Sequence, residues 1–138
     1  MNNNPNTVPE SIPFLESVRE LSDRYDVWLC DIWGVIHNGI AKTESAVEAC
    51  RKFREGGGAV VFITNAPRPR SEIYPQFEAM KIPDDCYDEI VTSGDVTRNL
   101  LSQYSGSNVY HLGPERDMPI FHGIDVNLTP LEQADVIL

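Results

Sequence analysis

The hydrophobic positions of this chain follow two patterns that alternate along the sequence. Short continuous apolar runs are typical of strands buried in a parallel sheet, and apolar residues three or four positions apart are typical of amphipathic helices. The runs predict strands at 27–32, 59–63, 89–92, 108–112 and 134–138. The spaced positions predict helices at 14–24, 42–58, 71–81 and 95–104.

The clearest predicted helix is 42–58, because its periodicity and its end signals agree. Thr43 is expected at the N-cap, and the glycines at 56–58 are expected to end the helix. The apolar stripe that would face the core consists of Ala46, Val47, Cys50 and Phe53. The preceding predicted element is the strand at 27–32, and the following one is the strand at 59–63.

The alternation of strands and helices predicts an α/β fold with a doubly wound, Rossmann-like parallel sheet and right-handed crossovers. In such sheets, ligands bind beyond the carboxyl ends of the strands. Asp31 lies at the end of the first predicted strand, and Thr64 directly follows the second. We therefore expect a site at the edge of the sheet where these two residues meet.

Composition restricts the partners of the chain. Its 138 residues fit one domain, or one domain and the beginning of another, and its formal net charge of −10 disfavours nucleic acid or an anionic membrane surface. No secretory signal and no apolar run of about 18 residues is present, so we expect a cytoplasmic protein without a membrane span. Cys30, Cys50 and Cys86 show neither CxxC nor Cys/His spacing, which favours reduced thiols over a metal site.

Four residues at the predicted strand ends could carry chemistry. The Asp31 carboxylate could bind Mg²⁺ and attack phosphorus, although aspartate is also common in plain turns. Gly34 allows a sharp turn whose N–H groups could cradle a phosphate, and it could equally be a simple turn glycine. Thr64 and Asn65 could bind phosphate oxygens, or serve only as a strand residue and a turn residue.

Other polar residues give weaker signals. Arg68 and Arg70 could contact an anionic substrate or could simply be solvated, and His37 could line the site or be an ordinary loop histidine. The sequence contains no GxSxG elbow and no GxxxxGK[ST] loop. It therefore does not support a serine hydrolase or nucleotide binding through a P-loop.

The run DIWGV at 31–35, followed about thirty residues later by VVFITN, resembles the haloacid dehalogenase-like hydrolase superfamily. The segments HNGI, ITNAPRPR, IVTSGDVTRNLL and VYHLGPE are similar to its branch with a large α/β cap inserted after the third core strand. That branch includes nitrophenyl, pyridoxal phosphate and glycerol phosphate phosphatases. The resemblance covers roughly residues 15–138.

This resemblance implies Mg²⁺-dependent hydrolysis of small phosphate monoesters through an aspartyl-phosphate intermediate. Asp31 would be the nucleophile and a metal ligand, and the backbone carbonyl of Trp33 would be a second metal contact. Thr64 would hold the phosphoryl group with help from the Asn65 N–H, beside the turn at Gly34. The partner would be a small phosphorylated metabolite, and copies of the chain could associate through the cap.

Trp33 is the first departure from the family pattern, which usually has an aspartate two residues after the nucleophile. That aspartate acts as general acid and base, a contribution of roughly 10²–10⁴-fold in rate that an indole cannot supply. Slow turnover or an altered mechanism is therefore expected. The alternatives are a catalytically degenerate module that binds a phosphorylated ligand or a protein, and an inactive structural fragment.

Length is the second departure. The family pattern requires a later lysine and then a GDxxxxD-like acidic pair, and the residues after NVYHL at 108–112 contain neither. We therefore expect a truncated core with the start of a cap, and no efficient catalysis by this chain. The predicted divisions are a flexible N-terminal arm at 1–13, a partial hydrolase core at 14–125 and the beginning of the cap at 126–138.

Overall fold

Three parallel strands form the first sheet of the structure, a computed structural model that describes residues 14–138. They are β1 (Val27–Asp31), β2 (Ala59–Thr64) and β3 (Glu89–Thr92), in the order β1-β2-β3. Each strand lies within one residue of its predicted bounds, so the apolar runs located this sheet correctly. The arm predicted at 1–13 lies outside the described residues.

Four helices accompany the strands: α1 (Arg19–Ser22), α2 (Glu44–Glu55), α3 (Tyr74–Ala79) and α4 (Ser93–Leu101). Helix α2 connects β1 to β2 and α3 connects β2 to β3, so strands and helices alternate as predicted. Thr43 occupies the N-cap position of α2, but its side chain makes no capping hydrogen bond. No helix within residues 14–138 has the length and apolar character needed to cross a membrane.

Two predicted helices are shorter than expected. The segment 14–24 contains only the single turn α1, and Phe14 is fully exposed, so its apolar residues have little core to cover. The segment 71–81 is divided into a 3₁₀ turn at Arg70–Glu72 and helix α3, which has Pro75 in its first turn. Proline is tolerated there because the first-turn N–H groups have no helical acceptor.

The core lies on one face of the first sheet. Val60, Phe62 and Ile90 are fully buried and belong to one apolar cluster with residues of α2 and α3. The buried residues that α2 contributes are Val47, Cys50 and Phe53. On the opposite face of the sheet, Leu29 and Ile63 remain exposed. The sheet is therefore covered on one side by helices within the described chain.

A second parallel sheet is formed by β4 (Asn108–Tyr110), β5 (Asn127–Leu128) and β6 (Val136–Ile137), in the order β5-β4-β6. The predicted strands at 108–112 and 134–138 are present in shorter form, whereas β5 has no apolar run and was not predicted. The boundary predicted at 125/126, between a partial hydrolase core and the beginning of a cap, stays a prediction. Strand β4 pairs with β5 on one side and with β6 on the other, and Leu101 of α4 packs in the same apolar cluster as Val109 of β4.

Candidate active site

A cleft of about 630 Å³ opens at the carboxyl edge of the first sheet. It is lined by Asp31, Ile63, Thr64, Asn65, Val91, Thr92, Ser93 and Val96. The structure therefore brings three of the predicted site residues, Asp31, Thr64 and Asn65, to one cleft. Trp33 and Gly34, which were also predicted, lie in the adjoining loop and do not line it.

A larger groove, of about 710 Å³, lies between α1 and α2. Its lining includes Trp28 and Phe53, whose rings stack with centroids 4.0 Å apart, together with charged side chains of both helices. It contains none of the predicted site residues. We assign no chemistry to this groove.

Asp31 is the last residue of β1 and pairs in register with Ile63 of β2. Its carboxylate is exposed, and Oδ1 accepts a hydrogen bond of 2.7 Å from the Ile32 N–H. Within residues 14–138, no basic nitrogen lies within 4.0 Å of this carboxylate. A carboxylate with a single donor keeps oxygen lone pairs available for a cation or for attack on phosphorus.

The loop after β1 turns back at Gly34, whose φ of +77° is readily adopted only by glycine. The Gly34 N–H donates a 2.8 Å hydrogen bond to the His37 carbonyl. In this conformation the N–H is therefore engaged in the turn and is not a free donor. A phosphate-binding role for Gly34 stays a prediction.

The indole ring of Trp33 is held beside the site by two neighbours in the loop. It lies so close to Gly39 that a Cβ there would be 2.5 Å from the indole Cη2, and it meets the His37 ring edge-on with centroids 5.4 Å apart. Among the described residues, no hydrogen bond ends on the Trp33 carbonyl, so this oxygen is available as a ligand. The side chain itself has no group that could exchange a proton with a substrate oxygen.

His37 is a core residue of this loop. It is 1% exposed, and its Nδ1 accepts a 3.0 Å hydrogen bond from the Gly39 N–H. Burial lowers the pKa of His37, so the neutral imidazole is favoured. His37 therefore supports the ring of Trp33, and nothing in its contacts directs it into the cleft.

Thr64 ends β2 and presents its hydroxyl at the cleft. Its Oγ1 accepts a 3.2 Å hydrogen bond from the Ala66 N–H, which leaves the hydroxyl hydrogen free to be donated. Asn65 follows at an exposed position in the same cleft. This arrangement can present donors to an anionic oxygen beside the Asp31 carboxylate.

Thr92 and Ser93 also belong to the cleft and were not predicted as site residues. Thr92 pairs in register with Thr64, and its Oγ1 accepts the Asp95 N–H at 2.9 Å as the N-cap of α4. The sequence contained a usable signal, because Thr92 ends β3 and Ser93 follows it, just as Thr64 ends β2 and Asn65 follows it. All three carboxyl ends of a parallel sheet meet at one edge.

The two arginines of the following loop are engaged by other side chains. Arg70 Nε donates to Asp95 Oδ2 at 2.9 Å, and its guanidinium also pairs with Glu89. These carboxylates raise the pKa of Arg70. Arg68 lies against Gln76, whose amide oxygen can accept two hydrogen bonds of 3.1 and 2.9 Å. Neither contact directs an arginine to a substrate.

The oxygen atoms at the cleft provide only some of the ligands that a Mg²⁺ ion needs. A carboxylate of Asp31 and a backbone carbonyl of Trp33 are oxygen ligands of the kind that Mg²⁺ takes, together with water and substrate phosphate. Within residues 14–138, no group of three or more His, Cys, Asp or Glu side chains could hold a metal ion. The described residues therefore fit Mg²⁺ in ligand type, with a single carboxylate.

Solved structures of other proteins share the fold of this chain. A haloacid dehalogenase-like hydrolase from Brucella suis 1330 is 37% identical with a TM-score of 0.82, and the match covers 91% of this chain and 48% of that chain. The p-nitrophenyl phosphatase of Archaeoglobus fulgidus is 18% identical with a TM-score of 0.64, over 81% of this chain and 43% of that chain. Glycerol phosphate phosphatase of Mycobacterium tuberculosis, solved with magnesium, is 22% identical with a TM-score of 0.63, over 85% of this chain and 36% of that chain. At these lower identities the likeness shows the fold.

Sequence comparison leads to the same group. The 5'-nucleotidase YutF of Bacillus subtilis (strain 168) is 27% identical over 92 residues, which are 66% of this chain and 36% of that protein. The chain thus spans between about a third and a half of the length of these relatives. A family model described as haloacid dehalogenase-like hydrolase matches residues 28–127, well over half of the chain. The chain belongs to the haloacid dehalogenase-like hydrolase family.

Proposed function

We propose that the cleft is the site of a Mg²⁺-dependent phosphatase that acts on small phosphate monoesters. The observation that carries this proposal is the meeting of Asp31, Thr64 and Asn65 in one cleft at the carboxyl edge of the first sheet. The family gives further support, since relatives of this chain are named as p-nitrophenyl phosphatase, glycerol phosphate phosphatase and 5'-nucleotidase.

In the proposed reaction, a carboxylate oxygen of Asp31 attacks the phosphorus of the monoester. The P–O bond to the alcohol breaks, and the product is an aspartyl phosphate on Asp31. Water then attacks this phosphorus, which releases inorganic phosphate and restores the carboxylate. Thr64 donates a hydrogen bond from its hydroxyl to a phosphoryl oxygen, and the backbone N–H of Asn65 donates a second hydrogen bond to the phosphoryl group.

Among the described residues that line the cleft, none is a general acid that could protonate the leaving alcohol in this reaction. The departing alkoxide must take its proton from water, because Trp33 stands where a general acid would act. Loss of that help costs roughly 10²–10⁴-fold in rate. A bound Mg²⁺ would neutralise charge on the phosphoryl oxygens, and Asp31 with the Trp33 carbonyl would be its ligands from this chain. We expect binding of phosphate to be retained and efficient turnover to be absent.

The experiment combines turnover with binding. With p-nitrophenyl phosphate and Mg²⁺, we expect the chain to release p-nitrophenol no faster than its Asp31→Asn variant. With inorganic phosphate and Mg²⁺, we expect shifts of the backbone amide resonances of Ile32, Thr64 and Asn65. Thr64→Ala should weaken this binding by about tenfold, because a hydrogen bond to a charged group is lost.

Two results would count against these expectations. Turnover that disappears in Asp31→Asn would support the chemistry and refute the expectation that a chain of this length is inert. Absence of any phosphate-dependent shift at Thr64 and Asn65 would refute the phosphate site itself. Ser102→Ala is a suitable control, because the Ser102 hydroxyl bonds the Asn99 carbonyl of α4 and does not line the cleft.

Trp33 favours a second candidate, a degenerate module that binds a phosphorylated ligand or a protein without hydrolysing it. A chain of the relatives' length separates the two candidates when it is compared with its Trp33→Asp variant. Turnover by the parent, or turnover restored by the aspartate, supports the phosphatase. Ligand binding without turnover in both chains supports the binding module.

A further inference from the structure

The first turn of α4 contacts the segment that follows Thr64. The Ser93 hydroxyl donates a 2.9 Å hydrogen bond to the Ala66 carbonyl. The Gly94 N–H donates a second hydrogen bond, of 3.1 Å, to the same oxygen. Two consecutive residues of α4 therefore hold one carbonyl that lies two residues beyond Thr64.

Gly94 is buried against backbone and leaves no room for a side chain. A Cβ at this position would lie 2.3 Å from the carbonyl carbon of Arg68 and 2.4 Å from its oxygen. Both atoms are main chain, so they could give way only if the segment itself moved. The absence of a side chain at Gly94 is thus what allows the segment to lie on the helix.

Asp95 adds a third contact from the same turn. Its Oδ2 accepts the Arg70 N–H at 3.2 Å and the Arg70 Nε at 2.9 Å. Its own N–H is held by the Thr92 hydroxyl, so the carboxylate projects from a capped helix end. The loop 65–70 is therefore fixed at both ends to three consecutive residues of α4.

Ala66 links this attachment to the cleft. Its carbonyl is held by Ser93 and Gly94, and its N–H donates to Thr64 Oγ1 at 3.2 Å. That N–H occupies one lone pair of the hydroxyl and so directs the hydroxyl hydrogen elsewhere. The orientation of the Ala66 peptide unit thus influences how Thr64 presents its donor.

We infer that Ser93 and Gly94 are positioning residues for the phosphate site, because they fix the Ala66 peptide unit and, through it, Thr64 and Asn65. This inference rests on the proposed function. Residues that follow β3 would thus hold the site in position, whereas Asp31 and Thr64 would contact the substrate directly. It also explains why a glycine stands at the second residue of α4.

The test is a phosphate titration in the presence of Mg²⁺, followed by amide resonances, on the parent chain and three variants. Ser93→Ala should weaken phosphate binding about three- to tenfold, the range expected for one lost hydrogen bond. Ser93→Thr keeps the hydroxyl and should remain within about twofold of the parent. Gly94→Ala should weaken binding by more than Ser93→Ala, since the added methyl group displaces the Arg68 backbone.

Ser102→Ala is the matched control. The Ser102 hydroxyl donates to the Asn99 carbonyl at 2.7 Å, so this variant removes the same kind of bond immediately after α4, away from the cleft. We expect its phosphate affinity to equal that of the parent. Thermal unfolding of every variant shows whether a lower affinity reflects a lower folded fraction.

Amide hydrogen exchange at Asn65, Ala66 and Arg68 gives a readout that does not require phosphate binding. We expect faster exchange there in Ser93→Ala and Gly94→Ala, and no change in Ser102→Ala. Unchanged exchange and affinity in Ser93→Ala would overturn the inference, even if Gly94→Ala fails to fold. Faster exchange in Ser93→Ala, together with a parent chain that binds no phosphate, would refute the proposed function while the attachment of the loop to α4 would stand.

Discussion

The indole of Trp33 lies two residues after Asp31, and its contacts involve the loop and not the cleft. The ring packs against Gly39 and His37, and the residue remains 58% exposed. Trp33 therefore leaves the cleft open while it removes the acid–base group that the family pattern has at this position. For the proposed reaction Trp33 supplies no proton donor, and we expect its contacts with Gly39 and His37 to stabilise the loop.

Gly39→Ala tests this packing. Gly39 has a φ of +88°, and the new Cβ would lie 2.5 Å from the indole, so the variant combines backbone strain with overpacking. Gly57→Ala is the control, because Gly57 has a φ of +94° and no atom within 4 Å of the added Cβ. We expect Gly57→Ala to lower the free energy of unfolding by about 1–2 kcal/mol and Gly39→Ala by about 1 kcal/mol more.

Urea unfolding measures both free energies. Tryptophan emission reports the Trp33 ring when both variants and their parent carry Trp28→Phe, because Trp28 is the other tryptophan of the chain. Only Gly39→Ala should shift the emission of the folded chain, since it displaces Trp33 from its support. Equal destabilisation with identical emission spectra would show that the Trp33 contact contributes nothing beyond the cost of the left-handed backbone.

At the scale of elements, the sequence was most informative where several signals agreed. Strands β1 to β3 were located within one residue because each coincides with a continuous apolar run. Helix α2 lies inside the predicted segment 42–58, directly between the expected N-cap Thr43 and the glycines at 56–58. Strand β5 has two residues, Asn127 and Leu128, and no run to mark it. Its pairing with β4 is a tertiary contact that local periodicity does not encode.

The candidate site likewise has one part that the sequence predicted and another that it did not. Asp31 and Thr64 could be predicted because the carboxyl ends of parallel strands share an edge, a rule that needs only the order of elements. The attachment of Ala66 to Ser93 and Gly94 could not, since it depends on the approach of residues 27 or 28 positions apart in sequence. The engagement of Arg70 by Asp95 and Glu89 likewise became visible only in three dimensions.

Asp88 connects helix α2, strand β2 and the start of strand β3, and its loss should weaken their packing. Asp88 is the residue before β3. Its Oδ1 pairs with Arg54 of α2 at 2.7 Å, and its Oδ2 accepts a hydrogen bond of 2.7 Å from the Val60 N–H of β2. We expect Asp88→Asn to lower the free energy of unfolding at neutral pH by about 1 kcal/mol, a modest value because the pair is partly exposed to solvent.

The hydrogen bonds from Arg54 and then from the Val60 N–H hold the pKa of Asp88 below its usual value. The folded chain thus binds this proton more weakly than the unfolded chain. The contribution of Asp88 is complete above the unfolded pKa of about 3.9 and is lost as the pH falls through the lower, folded pKa. Urea unfolding of parent and variant should therefore differ at neutral pH and converge in strong acid. Asp84→Asn is the control, because among the described residues Asp84 forms no ion pair.

At the scale of the whole molecule, the first sheet has helices on one face and exposed apolar residues on the other. Val27, Leu29, Ile63 and Val91 are exposed on that face, and β1 is an edge strand in the order β1-β2-β3. Leu29 is 67% exposed in the middle of this edge strand. Unpaired backbone groups beside a contiguous apolar surface favour association between chains.

We therefore expect the 138-residue chain to self-associate, and Leu29→Lys to reduce this association. The substitution places a charge on an edge strand at a position that is already exposed, so the free energy of unfolding should change by less than about 0.5 kcal/mol. Leu112→Lys is the matched control, because Leu112 is 73% exposed and follows β4, outside the first sheet. Both variants raise the formal net charge of −10 by one, so a difference between them cannot come from overall charge.

Sedimentation velocity over a wide range of protein concentrations distinguishes the outcomes. If the exposed sheet face drives association, Leu29→Lys sediments more slowly than the parent at high concentration, and Leu112→Lys sediments as the parent does. Equal effects of the two variants would assign the association to charge, and a parent that remains monomeric throughout would show that this face does not self-associate.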